Sequence, residues 1–453
     1  AVTLKYLKIG RGAIGHLPEA LKAVGAKKPF LVSDENTFEA AGARAEEILH
    51  AAGVPFVSYV IPCRHDKVAP SEWEVGSIAM HFDPSCDFIL GIGSGVVNDL
   101  CKVFAHASGR ESGIVGTAPS MDGFASNSSS MEVNGVKATL YNKCPALVLC
   151  DTEIMAKAPM RMLWAGLGDM AAKYTSICEW RIANIVIGEY YCEEIAEMVR
   201  ASLRKIMAAA PGIAKRDPDA VQSVAEGLVM TGMAMAFAQV SRPASGLEHY
   251  FSHVWEMLAL ERKVPYDLHG IQVGVGTMLT MDIFEELKKI RPDRAVAEKH
   301  MRAFDARKWE AEIRRIFGAT AGEILQIVQK VRKNDPAAHA ERLDVILERW
   351  EDILRAVAQG EHRPPVVVGF AAESEQLLEN AAGKLQGKNL DLIVANSITE
   401  PGSGFGTDTN RVSILGRGDY RVDLPLMSKW AVADAVMAEV ARLLGEHETA
   451  VTR

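Results

Sequence analysis

A change of period near residue 156 constrains the fold of this chain more than any other feature. Up to about residue 155, short aliphatic and β-branched runs alternate with amphipathic stretches, the clearest runs being 29–34, 56–60, 88–92, 113–116 and 146–150. That alternation predicts a parallel sheet covered by helices, an α/β nucleotide-binding type of domain over 1–155. From 156 to 360 the runs vanish. Patterns of period 3.6 replace them, with candidate helices at 190–209, 219–240, 243–260, 271–289 and 337–358, so an all-α domain is expected. Pro364-Pro365 breaks the pattern, and Val366-Val-Val-Gly-Phe370 opens a third unit, a small appended α/β segment over 361–453. Its expected parts are a helix at about 373–386, a strand at 390–395, a glycine-rich loop Pro401-Gly-Ser-Gly-Phe-Gly406, a strand near 412–415 and a last helix near 428–445.

Composition narrows the function classes. A chain of 453 residues is too long for one core, which agrees with several units. A net charge of -8 with scattered lysines and arginines speaks against a nucleic-acid partner, which calls for a basic patch. The seven cysteines form no C-x-x-C pair and are odd in number, so they read as reduced thiols rather than a disulfide framework or zinc ribbon. Ala1-Val-Thr-Leu-Lys5 lacks the charged start and apolar run of a secretory signal, and no uninterrupted apolar stretch reaches the roughly 20 residues that span a bilayer. The expectation is a cytoplasmic protein without a membrane span.

Directly after the run at 88–92 comes Gly91-Ile-Gly-Ser-Gly-Val-Val-Asn-Asp99, followed by Lys102. Glycines there let the backbone approach a pyrophosphate, and a helix N-terminus offers it free N–H groups and a partial positive charge. The same residues also suit a tight strand-to-helix turn with no ligand. The spacing differs from the Rossmann G-x-G-x-x-G, so ribose contacts are sought near 33–37 instead. There Asp34 and Glu35 would favour NAD over a 2′-phosphorylated cofactor. A second loop, Thr117-Ala-Pro-Ser-Met-Asp-Gly-Phe-Ala-Ser126, supplies three hydroxyls and the Asp122 carboxylate, or else is a surface turn.

In Trp164-Ala-Gly-Leu-Gly-Asp169 the aspartate follows two glycines that read as the opening of a helix, where an N-cap is the ordinary role. His249 and His253 lie one turn apart in Ser245-Gly-Leu-Glu-His-Tyr-Phe-Ser-His253, and His269 follows in Tyr266-Asp-Leu-His-Gly270. One carboxylate and two imidazoles suit a divalent ion with an open coordination position, such as zinc, nickel or iron. Core-facing histidines satisfied by backbone groups are the alternative. With the glycine loop, the set fits an alcohol dehydrogenase, in which a cation polarises a carbonyl and a nicotinamide supplies hydride.

These blocks, with Leu149-Cys-Asp-Thr-Glu-Ile154, appear in an order that resembles the glycerol-1-phosphate dehydrogenases, especially the AraM type, from the N-terminus to about residue 360. The resemblance implies a dehydroquinate synthase-like fold: an α/β dinucleotide-binding domain (1–155) and an all-helical metal and substrate domain (156–360). It implies reduction of dihydroxyacetone phosphate to glycerol 1-phosphate by NADH or NADPH, a link to phospholipid metabolism, and a homo-oligomer. Carried over by residue, Gly95, Val96, Val97, Asn98, Asp99, Thr117, Ala118, Pro119, Ser120 and Ser126 would contact the cofactor. Asp169, His249 and His269 would hold one zinc or nickel ion, and Asp122, Asp169 and His253 would meet the substrate as catalytic groups. Lys173 and Arg242 are further candidates, on charge and proximity alone, for the substrate phosphate.

Residues 361–446 instead resemble the C-terminal part of the phosphopantothenate–cysteine ligase half of CoaBC, in Val368-Gly-Phe-Ala-Ala-Glu373, Lys388-Asn-Leu-Asp-Leu-Ile-Val-Ala-Asn396, Gly404-Phe-Gly-Thr-Asp-Thr-Asn-Arg411 and Leu424-Pro-Leu-Met-Ser-Lys429. The preceding half of that ligase has no counterpart. Two rivals stand beside the main reading: a glycerol or small-diol dehydrogenase of the same fold group, and a coenzyme A pathway accessory protein that binds CTP through the last segment.

Overall fold

The computed structural model describes the chain except residues 1–2, 64–67, 134–135, 360–365, 374–375, 388–389, 405–406, 419 and 452–453. Pro364-Pro365, Lys388-Asn389 and Phe405-Gly406 of the motifs above therefore lie outside the described residues. The chain divides into two compact units, Ala1–Gly360 and Glu361–Arg453.

The first unit is built on β1 (Tyr6–Gly10), β2 (Pro29–Asp34), β3 (Val57–Ile61), β4 (Phe88–Gly93), β5 (Glu111–Gly116) and β8 (Leu147–Asp151), with a hairpin of β6 (Ser128–Val133) and β7 (Val136–Tyr141) before β8. Six strands pair in parallel in the order β1-β8-β5-β4-β2-β3. Helices on both faces explain why β4 and β8 are buried along their whole length, as the inner strands of a parallel sheet must be. One face packs Leu31, Leu90 and Leu149 on the helices Leu17–Val24 and Ala43–Ala51; the other packs Phe30, Ile89 and Val32 on Glu72–His81 and Gly95–Ser108. Each such fully buried aliphatic side chain contributes about 1.5–3 kcal/mol. The chain steps outward from β2 to β3, then returns to the other side of β2 to form β4 and continue through β5. This reversal is a topological switch point, and the carboxyl ends of β2 and β4 flank the crevice where such sheets bind ligands.

From Thr152 to Gln359 every regular element among the described residues is helical. The helix Pro218–Ala238 is long and apolar enough to cross a membrane by composition, with mean hydropathy 1.3. It is instead a core helix, with Val221, Val224 and Leu228 fully buried in the cluster that also holds Leu203 and Ile206. The expected helix 337–358 is two, Pro336–Glu348 and Trp350–Gln359, because Arg349 leaves helical geometry at φ -108°. The expected helix 190–209 runs over Glu193–Ile213 and ends two residues after Pro211.

In the second unit β9 (Val368–Glu373), β10 (Leu392–Ser397), β11 (Thr409–Gly416) and β12 (Arg421–Ser428) form one sheet in the order β12-β11-β10-β9. Glu373, expected to open a helix, instead ends β9 opposite Ser397, and the helix begins at Leu377. β12 escaped the sequence reading because its charges and Pro425 look like a loop; as an edge strand it tolerates both. The helices Leu377–Gly387 and Lys429–Val451 carry the apolar residues that cover the two faces.

Candidate active site

Loop geometry at the carboxyl end of β4 begins with close packing. A side chain at Gly93 would place its Cβ 2.6 Å from Val97, so the strand can turn into the helix Gly95–Ser108 only with glycine there. The first N–H groups of that helix, at Gly95, Val96 and Val97, have no intrahelical acceptor and open the crevice to an anion. Ser94 Oγ donates to Ala118 O (3.0 Å) and shares a hydrogen bond with Ser120 Oγ (2.6 Å), while Thr117 N donates to Gly93 O (2.9 Å). The two expected cofactor loops, 91–99 and 117–126, thus lie side by side.

Several side chains in these loops are already committed to protein. Asn98 Nδ2 and Lys102 Nζ both donate to Gly123 O, at 2.9 and 3.2 Å. Lys102, which follows the glycine loop, is buried and also pairs with Asp99 at 2.9 Å. Asp99 in turn accepts from Ser130 N, and Ser126 Oγ donates to Ser128 O. Val97 and Ala118 are buried. What these loops offer a dinucleotide is therefore mainly backbone. Asp34 caps the short helix Glu35–Thr37, accepting from Thr37 N at 2.8 Å, which occupies one of its carboxylate oxygens.

Asp169 lies not at a helix start but inside the helix Met160–Ala171. Its two preceding glycines serve close approach rather than entry into the helix. A Cβ on Gly166 would sit 1.8 Å from Pro119 O, and one on Gly168 would sit 2.4 Å from Gly270 O. Gly270, second residue of the helix His269–Lys289, meets Ala165 O at 2.0 Å by the same construction, and Gly276 meets Glu248 O at 2.4 Å. Backbone therefore rests on backbone where three helices and the 117–126 loop converge.

That convergence brings together Asp169, His249 on the helix Leu247–Arg262, and His269, with one potential ligand atom from each lying within 4.8 Å of the others. His249 Nε2 is 4.0 Å from Asp169 Oδ1, and the His249 and His269 rings are 5.2 Å apart. His253 stands beside both, its ring 6.1 Å from each. Asp122 N donates to Asp169 Oδ2 at 3.0 Å, and Lys173 Nζ reaches both Asp122 Oδ2 and Asp169 Oδ1 at 2.8 Å.

Electrostatics suit this donor set to a divalent cation. Burial pushes the Asp169 carboxyl up, but the charge and hydrogen bond of Lys173 outweigh it and hold it below its ordinary value. Burial depresses His249, and burial with nearby Lys137 depresses His269 to about 4, so both imidazoles are neutral and carry a lone pair. Burial and Lys137 likewise drive His253 far below 6.5. Two carboxylates on one ammonium leave one negative charge in excess in a buried centre. A divalent cation offsets it, and the residues present fit such an ion.

The two phosphate candidates are engaged elsewhere. Lys173 is fully buried between its carboxylates, and Arg242 forks between Glu189 (2.9 Å) and Glu179 (3.2 Å). Sequence reasoning missed a second layer around the histidines. Glu248 Oε1 accepts from His249 Nδ1, and Glu256 lies 3.4 Å from His269 Nδ1 while also binding Lys137 of β7. Tyr266 Oη donates to Glu132 of β6 at 2.8 Å, so the hairpin is fastened to the helical layer twice. Helical periodicity places Glu256 on the face shared by His249, Ser252 and His253, but nothing local marks Lys137.

A parallel sheet whose switch-point crevice opens on a buried carboxylate and two imidazoles defines a nucleotide-linked alcohol dehydrogenase of the iron-containing class. The pattern of the family described as iron-containing alcohol dehydrogenase matches residues 8–159. The fold is similar to that of glycerol dehydrogenase from Schizosaccharomyces pombe, with TM-score 0.52 and 17% identity over 80% of this chain and 91% of that one. Within the class, the chain belongs to the glycerol-1-phosphate dehydrogenase family. It is 32% identical over 292 residues to the glycerol-1-phosphate dehydrogenase (NAD(P)+) of Halalkalibacterium halodurans, covering 64% of this chain and 73% of that protein. It is 34% identical over 297 residues to that of Methanosarcina acetivorans, covering 62% and 79%. Residues 325–444 match the family described as DNA/pantothenate metabolism flavoprotein C-terminal domain, a match that starts within the helix Ala321–Lys330, ahead of the second compact unit.

Proposed function

We propose that this protein catalyses the reversible, NAD(P)H-dependent reduction of dihydroxyacetone phosphate to sn-glycerol 1-phosphate at a divalent metal centre. The observation that carries the reading is the convergence of Asp169, His249 and His269, in a chain whose relatives are glycerol-1-phosphate dehydrogenases. A bound cation supplies Lewis acidity to a ketone oxygen, and a bound nicotinamide supplies hydride.

The chain's own residues then have distinct tasks. The helix N-terminus at Gly95–Val97 and the loop Thr117–Ser120, with Asn98, Asp99 and Ser126 bracing them, hold the dinucleotide. Asp169, His249 and His269 hold zinc or nickel. Lys173 keeps the Asp169 carboxylate ionised and fixes Asp122 beside it. Asp122 and neutral His253 position the substrate hydroxyl. Because Lys173 and Arg242 are paired internally, the substrate phosphate is recognised by other groups.

The test is an assay of purified, metal-loaded protein for NAD(P)H oxidation with dihydroxyacetone phosphate or dihydroxyacetone, and for NAD(P)+ reduction with glycerol. Turnover of the phosphorylated ketone to the sn-1 product supports the reading. Turnover of glycerol alone transfers it to the diol rival, and no turnover of any of the three sinks it. His249→Ala and His269→Ala should each lose bound metal by elemental analysis.

A further inference from the structure

The helix Leu247–Arg262 carries a carboxylate immediately before its metal-facing histidine, and the two side chains bond to each other. Glu248 is wholly buried, and its Oε1 accepts from His249 Nδ1 at 2.9 Å and from Gly246 N at 2.6 Å. Its Oε2 accepts from Thr175 Oγ1 at 2.6 Å. A carboxylate in this setting can only accept, so the proton between it and the imidazole sits on Nδ1. The His249 lone pair is then on Nε2, the atom that faces Asp169.

We propose that Glu248 is a positioning residue for the metal centre: it locks His249 in the Nδ1–H tautomer and holds its ring so that Nε2 alone is offered to the ion. The inference deepens the metal reading above and rests on it. Three features make the lock stiff. The carboxylate is held by a backbone N–H and by a hydroxyl from the neighbouring helix Lys173–Ile187. The hydroxyl's place is fixed because Thr175 lies in the first turn of that helix, beside Lys173 with its ion pairs to Asp122 and Asp169. The backbone at Glu248 is pressed against Gly276, so the turn bearing both residues cannot shift toward the helix His269–Lys289. His269 has a looser counterpart, with Ser252 Oγ at 3.3 Å and Glu256 Oε1 at 3.4 Å from its Nδ1. Partners of this kind orient a ligand imidazole, and their loss typically weakens metal affinity 10–100-fold.

The experiment uses the full chain stripped of metal and measures zinc affinity by chelator competition for wild type, Glu248→Ala, Glu248→Gln and His249→Ala. It is paired with nitrogen-15 spectra of histidine-labelled metal-free protein, in which His249 is assigned from the His249→Ala variant. Expected are an Nδ1–H tautomer for His249 in wild type and zinc affinity about 10–100-fold weaker in Glu248→Ala. Glu248→Gln, whose amide oxygen can still accept from Nδ1–H, should recover most of that loss. An Nε2–H tautomer in wild type overturns the proposal without any variant having to fold. Unchanged affinity in Glu248→Ala with weakened binding in His249→Ala overturns it too, and leaves the metal site standing. Unchanged affinity in both variants removes the metal reading itself.

Discussion

Replacing Gly270 by alanine tests how the helical layer assembles the site. The new methyl would sit 2.0 Å from Ala165 O and 2.6 Å from Ala165 C. Both are backbone atoms, so no rotamer change relieves the clash, and the two helices must part by more than about 1 Å to regain an ordinary contact. Overpacking of this kind costs roughly 1–3 kcal/mol. The better helix propensity of alanine returns about 1 kcal/mol, so the net loss is about 2 kcal/mol at the upper end of the range. At roughly 2–4 °C per kcal/mol for a large domain, Tm should fall by about 4–8 °C. The functional effect is larger in proportion. His269 is the neighbouring residue, Asp169 rides on the opposite helix, and ligand distances tolerate only about 0.2 Å. Zinc affinity should drop at least about ten-fold, in the range seen when ligand orientation is lost. Calorimetry and chelator competition on the same preparations read both effects. A Gly270→Ala protein with wild-type Tm and wild-type zinc affinity would refute the claim that backbone contact sets the site geometry.

The remaining expectations are simpler. Gly76→Ala, in a helix where the added methyl meets nothing within 4 Å, should stabilise by about 0.5–1 kcal/mol in urea unfolding, the reverse of Gly270→Ala. Lys173→Met leaves the buried Asp169 and the half-buried Asp122 carboxylates without their cation and should destabilise by about 3–5 kcal/mol; retained stability at neutral pH would disprove the ammonium's role. Asp169 has a depressed folded pKa, so its stabilisation is present above its unfolded value and is lost as pH falls through the lower folded one. Metal-free wild type should accordingly lose stability as pH falls, beginning below about pH 6.5, where the depressed His253 and His269 stay neutral only in the folded state, and continuing through Asp169 below about pH 4; urea midpoints flat between about pH 6.5 and 2 would contradict this. At pH 8 a thiol reagent should label only the two half-exposed cysteines, Cys63 and Cys192, rapidly. The other five are buried, and burial pushes Cys150 and Cys178 up to about 12.

What the sequence disclosed follows the reach of local signals. The runs at 29–34 and 88–92 announced β2 and β4 because inner parallel strands are apolar on both faces. β6 and β7 went unread, since Ser128-Ser-Ser and a lysine-bearing partner strand carry no such signature and their pairing is a tertiary fact. The same limit applied at the site. Gly166 and Gly168 read as a helix opening because glycine is costly inside a helix, and only the facing Pro119 and Gly270 carbonyls show why they lie there. Lys173 and Arg242 looked like phosphate ligands by charge and proximity, whereas their partners Asp122, Glu179 and Glu189 lie 51 to 63 residues away in sequence, beyond the reach of any local pattern. Spacing already grouped His249, His253 and His269, the family resemblance set His253 apart as a substrate contact, and the fold brings the three rings within 6.1 Å of one another.

The pairing of β1 with β8 also orders events in time. Tyr6–Gly10 has its sheet neighbour in Leu147–Asp151, so the earliest strand of this sheet waits for the last residues of the sheet before it can dock. Asp169 emerges soon after that closure, and His249 and His269 much later still. The sheet and its crevice can therefore be complete before the second imidazole exists. An ion of the kind proposed would meet a sheet already closed, unlike the metal of a zinc finger, and metal starvation during synthesis should lower activity without lowering the yield of folded protein.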